Sequence, residues 1–206
     1  MVKLRLFPQE TAGLQVLANM AEQILAGTHT LAEMLGAGRG NFGALTESLR
    51  QHEAASTADF ATLLTGMRTS FINPLPREDL YALGQLLNET SEILAGAGEV
   101  IELYTLDRIP NRVSDQLEIL SRQAELTTGA MKSLNDLDSL EDYWLEVLRL
   151  AKRADHTHRI VVAELLEAHS PTTFAKYKTL ADQFAAASGQ MRAVAIQVGS
   201  LIVKES

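Results

Sequence analysis

Histidines and carboxylates are the side chains of this chain that could do chemistry, and many of them gather in two patches. Gln51-His52-Glu53-Ala54-Ala55-Ser56-Thr57-Ala58-Asp59 is the first; Leu150-Ala151-Lys152-Arg153-Ala154-Asp155-His156-Thr157-His158 is the second. His156 and His158 stand two apart, so a helix points them in different directions, unlike the i, i+4 pair of a zinc helix. His52 beside Glu53, and His29 and His169 alone, have no ligand spacing. Nucleophilic chemistry has little to draw on. There is no cysteine, no Gly-x-Ser-x-Gly elbow and no phosphate-cradling Gly-x-x-x-x-Gly-Lys-Ser/Thr. Gly36-Ala37-Gly38-Arg39-Gly40-Asn41-Phe42-Gly43 is glycine-rich, but with no strand before it, it reads as a flexible loop between helices. Arg77-Glu78-Asp79 is explained by structure alone: the two acids cap a helix start against the dipole, and Arg77 pairs with an acid across the bundle. At an exposed corner the same triplet could serve docking.

The elements that must position these residues are helices. Apolar residues recur at spacings of three and four, as in Leu14, Leu17, Met20, Ile24, Leu31 and Leu35, and predict a first helix over about 8–36, with Pro8 in its first turn. A second is predicted over about 42–69. Asn73-Pro74-Leu75-Pro76 then forbids a helix from running through and forces a corner. Beyond it, a third helix runs over about 77–104 on a stripe from Leu80 to Leu103, and a fourth over about 110–134. A fifth is predicted over about 140–168, its apolar positions including Trp144, Leu145, Leu165 and Leu166, with Ser139 and Asp142 as a capping box. Tyr143 and Trp144 read as a partner surface or as a core anchor, the usual role of a lone Trp opening a helix. The sixth, over about 172–203, is crowded with Ala181, Ala185, Ala186, Ala187, Ala193 and Ala195, which let a neighbouring backbone approach. Similar lengths of 25 to 30 residues with short connections predict antiparallel neighbours in an all-α bundle. Superposing Glu53 on Ala151 also superposes Thr57 on Asp155, an offset of 98. One domain of two pseudo-repeats, about 8–104 and 110–204, follows.

Composition narrows the function. The net charge is −8 and the isoelectric point near 5.1, which argues against nucleic acid and anionic membrane surfaces as electrostatic partners. The absence of cysteine fits a reducing interior. The N-terminal apolar run is too short for a signal peptide, and no run reaches the length of a membrane span, so a cytoplasmic protein without direct membrane insertion is expected.

The corner Phe71-Ile72-Asn73-Pro74-Leu75-Pro76-Arg77-Glu78-Asp79-Leu80-Tyr81-Ala82-Leu83 resembles a signature of the divergent PhoU-like family of phosphate-transport regulators. Tyr143-Trp144-Leu145-Glu146-Val147, Tyr104 and Val203-Lys204-Glu205-Ser206 extend the likeness to actinobacterial-type members. The resemblance covers essentially the whole chain and implies two three-helix bundles side by side. It implies a non-enzymatic accessory protein on the cytoplasmic face of a Pit-type inorganic phosphate transporter, peripheral to the inner membrane through that partner. In the family, Glu/Asp-x-x-x-Asp pairs on the second, third, fifth and sixth helices bind clustered metal ions. Here those positions are Glu53 and Thr57, Asn88 and Glu92, Ala151 and Asp155, Gly189 and Ala193. With three acids in eight positions, Glu53, Asn88, Glu92 and Asp155 are remnants of a metal site, and no cofactor is expected. The alternatives are a metal-carboxylate protein of the same fold and a helical dimerisation module, a homodimer, that has lost the ancestral site.

Overall fold

A computed structural model describes residues 12–70, 73, 75–106 and 108–205. Six helices make up the fold: α1 (Ala12–Gly36), α2 (Phe42–Thr69), α3 (Arg77–Tyr104), α4 (Asn111–Lys132), α5 (Glu141–Ala168) and α6 (Pro171–Glu205), and no strand occurs among the described residues. The expected start of α1 at Pro8, and Phe71, Ile72 and Pro74 of the corner, lie outside them. The elements otherwise fall where the apolar period placed them. Their lengths do not: α4 has 22 residues and α6 has 35. The extra turns of α6 find partners, because α6 packs on α3, α4 and α5 and its end reaches the start of α3.

Local chemistry sets the boundaries. Ser170 caps α6 by accepting from the Thr173 N–H at 3.4 Å, and Pro171 occupies the first turn, where a missing N–H costs nothing. The capping box expected at Ser139 does not form. The Ser139 hydroxyl donates instead to the Asp136 carbonyl at 2.7 Å within a 3₁₀ turn over Leu137–Leu140, and α5 starts without a side-chain cap. Nor does Arg77 find an acid among the described residues: its guanidinium donates to the Ser70 carbonyl at 2.9 Å, tying the start of α3 to the end of α2. Thr105 ends α3 in the left-handed region at φ 51°, and the Leu106 N–H closes back on the Ile101 carbonyl.

The helices α1, α2 and α3 pack on one another, as do α4, α5 and α6. Between the two groups α1 meets α4 and α3 meets α6, so two of the three helices of each group pack on their counterparts, the pattern a two-fold relation produces. One apolar core runs through both groups, from Leu17, Met20 and Ile24 to Phe184, Val194 and Leu201. Close approach is built in at matching places. A Cβ on Gly98 of α3 would run into Leu49 of α2, and one on Gly199 of α6 would stand 2.7 Å from the Trp144 indole of α5. Trp144 is thus a core anchor. Leu103, Leu145 and Leu166, counted on apolar stripes, are 76%, 51% and 63% exposed. The stripe is narrower than the run of apolar residues: of the neighbours Leu165 and Leu166, only Leu165 faces inward.

Candidate functional site

The residues singled out on α2 and α3 do come together. Antiparallel packing sets Glu53 and Thr57 opposite Asn88 and Glu92, and the four form one hydrogen-bonded chain. The Thr57 hydroxyl lies 3.3 Å from Glu53 Oε1 and 3.1 Å from Asn88 Oδ1, and its single proton serves one acceptor at a time. The Asn88 amide donates to Glu92 Oε1 at 2.7 Å, which fixes Oδ1 towards Thr57. Asn88 is buried, Glu53 half-buried, and Thr57 and Glu92 are exposed. Thr57 and Asn88 thereby place donors where a cation cluster needs additional carboxylate oxygens. Polar groups here answer one another, and the set does not fit a clustered metal centre.

The equivalent positions of α5 and α6 are dismantled differently. Ala151 is buried, Gly189 and Ala193 offer no ligand atom, and Asp155 faces Arg192 at 4.0 Å. Asp155 therefore does not join the other three. Among the described residues no group of three or more histidines or acids stands close enough to hold a metal ion.

The titratable groups near the first patch feel burial. His52 is held on α1 by Gln23 at 2.8 Å, and desolvation lowers its pKa below the ordinary 6.5. Desolvation likewise raises Asp59 above its usual carboxylate value. In the second group His158 sits between the Gln116 amide on α4, at 3.2 Å, and Asp182 on α6, at 3.3 Å. Burial pushes the Tyr143 phenol up, with Thr127 as its hydrogen-bond partner. A cleft of about 400 Å³ at the start of α1 and the end of α2 is lined by Val16, Leu63, Met67 and Leu80 and, among the described residues, by no ionisable side chain.

Asp79 stands in the first turn of α3, as expected, and also reaches beyond its own helix. It is 2% exposed, accepts from the Lys204 ammonium at 2.7 and 3.0 Å and from the Gln197 amide at 2.8 Å, and so joins the start of α3 to the end of α6. Sequence reasoning missed this pair and also the buried amides of Gln116 and Gln123. The available signal for the latter was polar residues recurring at the apolar period of α4.

Comparison with solved structures places this geometry. A PhoU-like protein from Shewanella oneidensis MR-1 superposes with a TM-score of 0.73, covering 93% of this chain and 99% of that one at 14% sequence identity. The fold is PhoU-like. No family model matches the sequence, and no curated protein matches it. Among the described residues no helix is long and apolar enough to cross a membrane.

Proposed function

We propose that this chain is a non-enzymatic regulatory adaptor of phosphate transport that docks on the cytoplasmic face of a Pit-type transporter. The observation that carries the reading is a PhoU-like fold that spans nearly the full length of both superposed chains. The acidic surface supports it. A net charge of −8 suits a cytoplasmic transporter surface enriched in Lys and Arg. The Glu53–Thr57–Asn88–Glu92 chain supports regulation by docking without metal, because its side chains satisfy one another. Among the described residues no ionisable side chain lines the cleft, which favours a binding role over catalysis.

Two measurements test the reading. Purified chain should be retained by the detergent-solubilised transporter encoded with it, with affinity that changes with phosphate; no retention at any phosphate concentration would overturn the proposal. Elemental analysis of the same preparation should find no stoichiometric transition metal. Iron, zinc or manganese lost on Glu53→Gln with Glu92→Gln would instead make it a metal-carboxylate protein of this fold.

A further inference from the structure

The outward face of α5 differs from its surroundings in charge and pattern. Leu145, Arg149, Lys152, His156, Arg159, Ala163 and Leu166 alternate spacings of four and three, the 3.5-residue period of a helix–helix seam, and every one is exposed. Two exposed leucines close the row, separated by roughly 30 Å at about 1.5 Å per residue. The cations lie between them. Arg149 is held by Glu146 at 2.6 Å, but Lys152, Arg153, His156 and Arg159 make no hydrogen bond or ion pair among the described residues. Of the acids within this stretch, Glu146 holds Arg149, Glu164 faces Arg112 of α4 at 3.4 Å and Asp155 leans towards Arg192 of α6. A concentrated positive row stands on a protein of net charge −8.

Folding does not require the row. Shifted by the offset of 98, the same seven positions on α2 are Glu47, Gln51, Ala54, Ala58, Ala61, Thr65 and Arg68, all exposed and nearly neutral. Both helices hold the same place in their groups, so the α5 pattern is an addition to the scaffold.

We propose that this face of α5 is a docking seam for an acidic amphipathic helix of a partner protein, carrying apolar residues about six turns apart and carboxylates between them. Charge complementarity selects an acidic partner, and the in-line leucines select a polypeptide. An anionic membrane would call for a continuous apolar face, which the five residues between the leucines interrupt. A nucleic acid or mineral polyanion has no use for leucines at the ends of the row.

The test uses the full chain and a fluorescein-labelled synthetic helix with leucines about 21 residues apart and glutamates at the seam positions between them. Anisotropy should show saturable, salt-sensitive binding. Lys152→Glu with Arg159→Glu should weaken it by about tenfold or more, as should Leu145→Ser with Leu166→Ser. All four positions are exposed, and circular dichroism should show each variant folded. Gln51→Glu with Ala58→Glu on α2 should leave binding unchanged. Four results would overturn the proposal: no binding; equal binding of a peptide whose leucines are replaced by serine; tighter binding of single-stranded RNA or of phosphatidylserine vesicles; or sedimentation showing a dimer that the Lys152→Glu, Arg159→Glu variant abolishes, which makes a second copy the occupant.

Discussion

Leu17 and Ile24 of α1 are buried carbon, while the residues 99 positions on, Gln116 and Gln123 of α4, are buried amides. The surrounding positions match in kind, with Leu14 and Val113, Ala18 and Leu117, Ala21 and Leu120, Thr28 and Thr127 all buried. The same helix place is thus filled in two ways. The α4 amides are only partly answered. Gln116 donates to the Ala181 carbonyl and to His158 but leaves Oε1 without a partner, and Gln123 accepts from Ser188 at 2.7 Å but leaves Nε2 unpaired among the described residues. Each such buried atom costs about 1–3 kcal/mol. In α1 to α3 the Ser56 hydroxyl oxygen is also buried without a partner among the described residues, so the α4–α6 group carries two such atoms against one.

Exchanging residues across the comparison gives the largest effect. Leu17→Gln, placed in α1 where no acceptor waits, should lower stability by about 3 kcal/mol or more, shifting Tm down by roughly 6–12 °C in a thermal melt. Gly199→Ala sets a methyl against the rigid Trp144 indole and should cost about 1–3 kcal/mol in urea unfolding. Gly129→Ala, with open space beside it, should gain up to about 1 kcal/mol from helix propensity. The reverse exchange, Gln123→Leu with Ser188→Ala, removes both the answered and the unanswered polar atoms and should raise stability by about 1 kcal/mol. Equal losses for Leu17→Gln and Gln123→Leu would erase the distinction between the groups.

The smallest effect is a pH dependence. Burial lowers His52, so below the ordinary 6.5 the unfolded chain takes up the proton first. The contribution of the neutral imidazole is complete above about pH 6.5 and is lost as pH falls from there through the lower folded value. His52→Gln should flatten the stability profile in that window, measured by urea midpoints at successive pH values.

The helices and the corner were legible because proline geometry and a period of three and four act within a few residues. So was the convergence of Glu53, Thr57, Asn88 and Glu92, once α2 and α3 were antiparallel. What escaped was decided by distant neighbours. Asp79 showed only its place in the first turn of α3, because its partner, Lys204, lies 125 residues away. Ser139 had a choice of bonds, and the tighter turn took its hydroxyl. Leu145 and Leu166 counted towards the apolar content of α5 although they stand off its buried stripe. Gln116 and Gln123 look like surface residues until α6 covers them.

The Asp79–Lys204 link has a consequence for synthesis. A ribosome adds about 5–20 residues per second, so the ammonium that meets this carboxylate emerges some 6–25 s after it. Until then α3 can dock on α1 and α2 but carries a carboxylate whose counter-charge has not been made. A chain stopped after α5 would keep its first three helices and lack that closing contact. Completion of the last turns of α6 therefore adds a later joint to the one α1 makes with α4, and its timing belongs to translation as much as to folding.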